Sequence, residues 1–159
     1  MDINEIRAKT AVVGLAEAGC GLAPGWNAME LMATAVYDAL DDAGLSIQEV
    51  DGLFAATAFH SMAAMSLSEY LGIRPKFADG SNIGGSSFLA HILTAAMALD
   101  AGLINVAVIA YGSNQRSAGG FKTISEAISS CFLPGNIKNL QVHQAHTKTY
   151  QINEPHRTV

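Results

Sequence analysis

The feature that most constrains this fold is a run of uncharged residues from 80 to 99. Its first part, 80–87, is rich in glycine and serine, and the rest is mostly apolar, interrupted by His91 and Thr94. A surface helix carries one polar face, whereas a helix that is apolar on every side is typical of a position between two layers of a protein. The sequence therefore predicts a buried helix over about Ser86–Ala101 that begins directly after a glycine turn.

The same run is about 20 residues long, which is also the length of a membrane-spanning helix. Its polar first part leaves only about a dozen apolar residues, which is typical of a core helix, so we expect no membrane span. The amino terminus, MDINEIRAKT, mixes acidic and basic residues without an apolar stretch and does not resemble a secretory signal. These features favour a cytoplasmic protein.

Charge and cysteine content exclude several classes of function. The formal net charge is −5 and the pI is about 5.4, which argues against a general nucleic-acid binder. Cys20 and Cys131 are distant in sequence and form neither a disulfide framework nor a zinc motif. We expect both to be unpaired thiols in a reducing compartment.

Strand and helix patterns alternate through the first 117 residues. Asn27 and Glu30 have the spacing of a capping box, and Gly44 stands where a helix would end. The predicted strands are 10–15, 52–58, 76–78 and 104–111, and the predicted helices are 27–43, 66–71 and 86–101. Strands separated by helices indicate βαβ units, an α/β fold and a largely parallel sheet whose strands, including 10–15, are buried.

The composition changes near residue 117. The earlier part is acidic and holds most of the glycines, whereas residues 134–159 are rich in Asn, Gln, His and Thr and have weak periodicity. We therefore expect an ordered unit over 1–117 and a divergent, poorly ordered tail over 118–159.

Four phrases in this order resemble the amino-terminal half of the thiolase superfamily, over about residues 8–117. They are ALDDAGL at 39–45, VDGL at 50–53, EYLGI at 69–73 and AGLINVAV at 101–108. The resemblance implies a thiolase-like layered α/β fold, with a mostly parallel mixed sheet and a buried central helix. It also implies that this chain is incomplete relative to the family.

Thiolases carry their nucleophile at the start of the buried helix, in a motif close to Asn-x-x-Cys-x-Ser-Gly. Asn82 and Ser87 match this motif, whereas Gly85 occupies the cysteine position and Phe88 replaces the final glycine. Glycine has no side chain to accept an acyl group, so covalent thiolase chemistry is not expected and the catalytic residues stay unknown. The residues that the resemblance assigns to substrate binding are Asn82, Gly84, Gly85, Ser86 and Ser87.

A second family motif, Gly-x-Glu-x-Met-Ser, follows the last predicted strand. Gly112 and Ser117 match it, whereas Asn114 and Arg116 depart from it. This departure and the missing cysteine make the chain more similar to cysteine-less superfamily members. Those members include lipid-transfer-like proteins and acyl-CoA aldolases, some of which work beside a zinc-ribbon/OB-fold subunit.

The resemblance thus implies an acyl-CoA-handling protein, acyltransferase-like or lipid-transfer-like, that is inactive alone as a fragment. Its expected ligand is an acyl-CoA or another lipid-derived small molecule, with the coenzyme A thioester as substrate and no further cofactor or metal. A homodimer or a partner subunit is expected. The alternatives are a non-catalytic dimer subunit or truncated gene product, and an acyl-CoA aldolase component with an OB-fold/zinc-ribbon partner.

Structural interpretations of the same residues stay open. The glycine turn is equally well explained as a tight strand-to-helix connection in which Ser86 or Ser87 caps the helix. A serine hydrolase would need Gly-x-Ser-x-Gly, and Phe88 stands at the last glycine. A dinucleotide loop at 19–21 is disfavoured because Pro24 replaces its third glycine.

The histidines divide into two groups. His91 lies within the predicted buried helix and is better explained as a neutral core residue with one hydrogen-bond partner than as a catalyst. His60 follows a strand and fits either role. Three further histidines lie in the tail without a carboxylate or thiol cluster, and they are a weak metal signal: His143, His146 and His156.

Overall fold

A computed structural model describes residues 8–20, 23–58 and 60–114, together with the backbone of 148–153. Within these ranges, five strands form one sheet in the order β1-β5-β4-β2-β3. Their bounds are β1 Ala11–Ala16, β2 Gly52–Thr57, β3 Phe77–Asp79, β4 Val106–Gly112 and β5 Lys148–Asn153. The strand β2 pairs in parallel with β3 and β4, whereas β5 pairs antiparallel with β1 and β4. The predicted mixed α/β sheet is confirmed.

The described part of the chain has three α-helices: α1 Ala28–Ala43, α2 Ala63–Leu71 and α3 Ser87–Asp100. A short 3₁₀ helix, Ile47–Glu49, precedes β2. The order β2-α2-β3-α3-β4 forms two consecutive parallel crossovers, as the alternating pattern predicts. Because the three strands are parallel, their carboxyl ends lie at the same end of the sheet. Both α2 and α3 therefore begin at that end.

Local sequence signals set the ends of α1. The Asn27 side chain accepts a hydrogen bond from the Glu30 N–H at 2.9 Å, and the Glu30 carboxylate accepts one from the Asn27 N–H at 2.8 Å. Gly44 ends the helix with φ +67°, a left-handed conformation that glycine adopts readily. The predicted capping box and terminator are confirmed.

The side chains of β2 and β4 alternate between two cores on opposite faces of the sheet. Leu53 of β2 and Val108 of β4 belong to the core that α1 and α2 cover. Phe54 and Ile109 belong to the core on the other face, where Leu99 of α3 packs. Every residue of β2 is buried, because helices cover both faces of this strand.

Two burial predictions are wrong for the residues that the structure describes. The strand β1 lies at the edge of the sheet, and the side chains of Val12 and Leu15 are 51% and 52% exposed. Leu93 of α3 is 55% exposed, so this helix is buried on the side of the sheet and open on the other. Apolar residues indicate a surface that can be buried, but they do not supply the element that covers it.

The sequence predicts no strand in the tail over 118–159, but the structure has one there, β5. Backbone pairing places β5 between β1 and β4, with Ile152 opposite Val12 and Ala107. Its sequence, KTYQIN, has too few apolar residues for a strand pattern. The rest of the predicted tail, 118–147 and 154–159, lies outside the described residues.

Candidate functional site

The carboxyl ends of β2, β3 and β4 meet the starts of the helices at one edge of the sheet. A Cβ built on Gly80, which follows β3, would lie 3.7 Å from the Ala64 Cβ in the first turn of α2. A Cβ on Gly112, the last residue of β4, would lie 2.6 Å from the carbonyl oxygen of Ala28 in α1. Open α/β sheets bind ligands at this edge, outside the carboxyl ends of their strands.

The segment 80–86, which we call the entry loop, leads from β3 into α3. Asn82 holds it to β2, because its Nδ2 donates to the carbonyl oxygen of Thr57 at 2.9 Å. Its Oδ1 accepts from the Gly84 N–H at 3.2 Å. Ser81 N–H donates to the Asp79 carboxylate at 3.1 Å. The predicted site residue Asn82 therefore anchors the loop through its side chain, while its surface remains exposed.

Ser87 is fully buried and shapes the loop from inside. Its Oγ donates to the carbonyl oxygen of Gly84 at 2.6 Å and accepts from the Ile83 N–H at 2.9 Å. Both capacities of the hydroxyl are thus used within the loop. This geometry is that of a tight strand-to-helix turn, but neither serine caps the helix as expected, because Ser87 bonds within the loop and the Ser86 side chain makes no capping bond.

Gly84, Gly85 and Ser86 form an exposed mouth at the start of α3. Gly84 has φ +90°, which favours glycine, whereas a Cβ on Gly85 would meet nothing within 4 Å. In the part of the chain that the structure describes, no hydrogen bond occupies the N–H of Gly85 or Ser86. The positive end of the helix dipole and two free donors are therefore available to an oxyanion or a carbonyl oxygen.

The buried helix predicted over about Ser86–Ala101 would put this mouth in the interior of the protein, and that expectation is wrong for the described residues. Residues 81–86 are all exposed. The apolar residues beside the mouth are exposed as well, including Ile83 at 67% and Leu89 at 56%. The reason is that α3 has the sheet on one side and no described element on the other.

His91 lies under the entry loop and is fully buried. Its Nε2 lies 3.1 Å from the carbonyl oxygen of Ser81 and 2.9 Å from the Ser81 Oγ. A carbonyl oxygen only accepts, so Nε2 carries a proton when it bonds to that oxygen, and Nδ1 has no partner in the described part. Burial lowers the pKa of His91, and Asp79 and the Ser81 carbonyl oppose this only in part. This placement matches the expected neutral core histidine.

The other predicted groups lie apart from the mouth or outside the description. Nε2 of the exposed His60 lies 2.7 Å from the Ser66 Oγ, near the start of α2. The Sγ of exposed Cys20 lies 3.3 Å from a Glu17 carboxylate oxygen. Outside the described residues lie Cys131, Arg116, Ser117, His143, His146 and His156.

A separate open groove of about 520 Å³ lies between α1 and α2. It has no contact with the mouth residues and is lined by Pro24, Gly25, Trp26, Glu30, Ala33, Thr34, Tyr37 and Tyr70. Across the described ranges, no group of three or more His, Cys, Asp or Glu side chains is placed to hold a metal ion. No helix among the described residues is long and apolar enough to cross a bilayer.

Sequence reasoning missed the contacts that hold the entry loop. The partner of Asn82 is a backbone carbonyl at residue 57, and that of His91 is Ser81, ten residues earlier. No motif relates these positions, because the crossover topology brings them together. The nearest available signal is that polar residues follow two parallel strands at the ends that share one edge.

No protein-family model matches the sequence. Among curated proteins, it is 34% identical over 110 residues to a 17-hydroxy-3-oxo-4-pregnene-20-carboxyl-CoA lyase of Mycobacterium tuberculosis. The match covers 69% of this chain and 28% of the lyase. The present chain therefore spans a minor part of that relative.

Solved structures resemble the described fold at low sequence identity. OleA of Xanthomonas campestris matches with a TM-score of 0.65 at 13% identity, over 92% of this chain and 56% of OleA. OleA with bound lauric acid and lauroyl-CoA matches with a TM-score of 0.62. The 3-oxoacyl-(acyl carrier protein) synthase III, FabH, of Xanthomonas oryzae also matches at 0.62 and 13% identity, over 56% of its length. The chain therefore has a thiolase-like fold and spans a little over half the length of these solved relatives.

Proposed function

We propose that this protein binds an acyl-CoA thioester at the start of α3 and acts on it without forming a covalent acyl-enzyme. Two kinds of likeness support the ligand class. OleA, which shares the fold, is known with lauroyl-CoA bound, and the curated relative is named for a carboxyl-CoA thioester. Within this ligand class, the chemistry depends on what the mouth residues offer to the thioester.

The observation that carries the proposal is the geometry at Gly85. No side chain stands at this position, a Cβ built there would meet nothing within 4 Å, and the N–H groups of Gly85 and Ser86 have no hydrogen-bond partner among the described residues. A thioester carbonyl oxygen becomes negative when the thioester is converted to an enolate. Backbone donors at a helix start can stabilise this charge without a nucleophilic sulfur.

The lyase relative favours carbon–carbon cleavage among the reactions open to such a site. In a retro-aldol step, a base removes the proton of a β-hydroxyl group and the adjacent carbon–carbon bond breaks. One product is a ketone or aldehyde, and the other is a thioester enolate that takes up a proton at carbon. The two N–H donors would hold the enolate oxygen. No described residue is assigned as the base, and an OB-fold/zinc-ribbon subunit is the partner proposed for the lyase.

Calorimetric titration with lauroyl-CoA, free CoA and laurate tests binding. Binding of lauroyl-CoA is expected to weaken at least about tenfold in Gly85→Phe, because the ring occupies the mouth. Ala101→Phe is the matched control, since it adds the same ring at the exposed far end of the same helix. No binding, or equal loss in both variants, contradicts the proposed site.

A cysteine introduced at the mouth tests the chemistry. The variants are made with Cys20→Ser and Cys131→Ser, so that no other thiol competes. Gly85→Cys is expected to gain the mass of one acyl group when incubated with acyl-CoA, because a helix start lowers a thiol pKa. The parent protein is expected to gain none, and its acylation would refute a non-covalent mechanism.

Turnover separates the lyase from a binding protein. A β-hydroxyacyl-CoA, including a steroid carboxyl-CoA, is incubated with the protein and its products are separated by chromatography. A ketone or aldehyde together with a shortened acyl-CoA is the expected lyase result. Binding without cleavage would instead support the alternative, a non-catalytic subunit that holds the thioester.

A further inference from the structure

The groove between α1 and α2 carries a cluster of aromatic side chains. Among the residues that the structure describes, the exposed Trp and Tyr side chains are Trp26, Tyr37 and Tyr70, at 41%, 48% and 56%, and all three line this groove. The other Phe and Tyr side chains of the described ranges are buried or half-buried. Exposed aromatic residues that are scattered singly are common, whereas a concave site lined by several of them is typical of ligand binding.

Helical spacing places the lining residues along the groove. Glu30, Thr34 and Tyr37 follow one another at spacings of four and three, so they share one side of α1. Trp26 precedes this helix, and Tyr70 lies in the last turn of α2, across the groove. Glu30 and Tyr37 are seven residues apart, which corresponds to about 10 Å along the helix. A single ligand of about this length can therefore contact both the carboxylate and the tyrosines.

The charge of the groove selects the kind of ligand. Among the described lining residues, Glu30 is the only one with a charged side chain. One of its carboxylate oxygens accepts from the Asn27 N–H at 2.8 Å, and the other has no partner in the described part of the chain. Asp38 and Glu69, the exposed sequence neighbours of Tyr37 and Tyr70, are acidic as well. Charge complementarity thus favours a cation and disfavours coenzyme A, whose phosphates are negative.

We propose that this groove binds a small organic cation of the quaternary ammonium class, with its charge beside Glu30 and Trp26 and its body against Tyr37 and Tyr70. The ring faces of Trp and Tyr attract cations. They cannot replace the hydrogen bonds that a primary ammonium group makes with water, whereas a trimethylammonium group has no N–H groups to desolvate. The rings and the carboxylate together therefore favour the methylated cation.

This groove is separate from the mouth of α3, because no mouth residue lines it. The inference goes beyond the proposed function and does not depend on it. Failure to bind acyl-CoA would refute the proposed function and leave the cation site intact, and failure to bind a cation would do the reverse.

The fluorescence of Trp26 tests the site directly, because it is the only tryptophan of the chain. Titration with choline at constant ionic strength is expected to change the emission saturably, with half-saturation at about 1 mM, since a few weak contacts hold the cation. The matched ligand is 3,3-dimethylbutan-1-ol, which has the same shape without the charge and is expected to need at least about tenfold higher concentration.

Three outcomes of this titration overturn the proposal. One is the absence of a saturable change with choline up to about 50 mM, and another is equal half-saturation by the two probes. The third is failure of acrylamide to quench the parent protein, because Trp26 would then be covered rather than open to a ligand.

Glu30→Gln tests the charge without removing the helix cap. A Gln side chain still accepts the Asn27 N–H in a capping box, so the start of α1 is kept. Half-saturation by choline is expected to rise at least about fivefold. Asp41→Asn is the matched control, since it removes the same charge from an exposed position of α1 outside the groove, and it should leave choline binding unchanged. Equal effects of the two variants contradict a role for Glu30.

Two substitutions of Tyr70 separate attraction by the ring from simple apolar contact. Tyr70→Phe keeps the ring face and is expected to bind choline as the parent protein does. Tyr70→Leu keeps an apolar side chain without the ring and is expected to raise half-saturation at least about threefold. Equal binding by the two variants overturns the assignment of the rings to a cation.

Discussion

The two ends of the parallel strands are built differently. At the amino ends, the Asp51 carboxylate accepts from the N–H groups of Asn105 and Val106 at 2.8 and 2.9 Å, and from Lys76 Nζ at 3.0 Å. At the carboxyl ends, Asn82, Ser87 and His91 hold the entry loop through hydrogen bonds on its protein side, while residues 81–86 are exposed to solvent.

The difference separates stability from ligand access. The Asp51 carboxylate accepts hydrogen bonds from residues at or just before the starts of β3 and β4, so its oxygens are already occupied and are not available to a ligand. The carboxyl ends keep their donors at Gly85 and Ser86 free, and the hydrogen bonds beneath the loop hold these donors in place. We expect substitutions at the amino ends to lower stability most and those in the entry loop to change stability less and binding more.

The largest effect is expected from Asp51→Ala. It would leave the N–H groups of Asn105 and Val106 without their acceptor and should lower the free energy of unfolding by about 3 kcal/mol. Urea denaturation measures the loss. Asp100→Ala is the control, because this carboxylate is about as buried as that of Asp51 but bonds to the side chain of Lys9 at 2.7 Å and to no backbone N–H of the described residues, and it should lose about 1 kcal/mol. If both variants lost the same free energy of unfolding, the backbone hydrogen bonds of Asp51 would not contribute more to stability than an ion pair does.

A smaller loss is expected from Ser87→Ala. The substitution leaves the Ile83 N–H without its acceptor and should lower the free energy of unfolding by about 1.5 kcal/mol. Acyl-CoA affinity should fall with it, because the mouth is no longer held. Ser86→Ala provides the control, since this exposed side chain makes no capping bond and should change stability by less than about 0.5 kcal/mol. An unchanged Ser87→Ala protein would show that the loop does not depend on this hydroxyl.

Acid should weaken the two ends in different pH ranges. Burial keeps the pKa of His91 below 6.5, so the unfolded chain takes up that proton first and stability falls as the pH drops from 6.5 to the folded pKa. Burial would raise the pKa of Asp51, but its hydrogen bonds with Val106, Asn105 and Lys76 outweigh burial and keep it below 3.8. Its contribution is complete above pH 3.8 and is lost as the pH falls through the folded pKa.

Urea denaturation over a series of pH values checks this order. His91→Gln should remove the part of the loss that begins near pH 6.5, and Asp51→Asn the part that begins near 3.8. A single transition that neither variant alters would contradict the separate contributions.

The smallest effect is expected from Gly85→Ala. Its new methyl group enters open space and should raise stability by about 0.5 kcal/mol by restricting the unfolded chain. Gly52→Ala at the amino end is the matched substitution, because its Cβ would lie 2.5 Å from the buried Ile104 Cδ1, and it should lose about 2 kcal/mol. Thermal unfolding of both variants is the measurement, and a loss at Gly85 would mean that the mouth is occupied.

Local signals were sufficient to predict most of the fold. The capping box of Asn27 and Glu30 and the left-handed Gly44 gave the bounds of α1, and the apolar run ending in Tyr111 gave β4. The start of α2 was harder. It begins at Ala63, three residues before the predicted Ser66, and its N-cap residue, Met62, makes no side-chain capping bond that the sequence could have signalled.

The turn at the start of α3 was predicted in position but not in environment. The glycine motif located the mouth at 84–86, since short-range sequence encodes a turn. Its exposure depends on what packs over α3, which no local pattern in the chain specifies. The roles of Ser81 and Asp51 depend on crossover topology, and their partners are distant in sequence or lie in the backbone.

The contacts of Asp51 also bear on how fast the chain folds. Its bonds to Asn105 and Val106 join residues 54 and 55 positions apart, and both α2 and α3 lie between them. Closing such a long segment is entropically unfavourable until the intervening crossovers have formed. The carboxylate should therefore act late, so that its removal accelerates unfolding more than it slows folding.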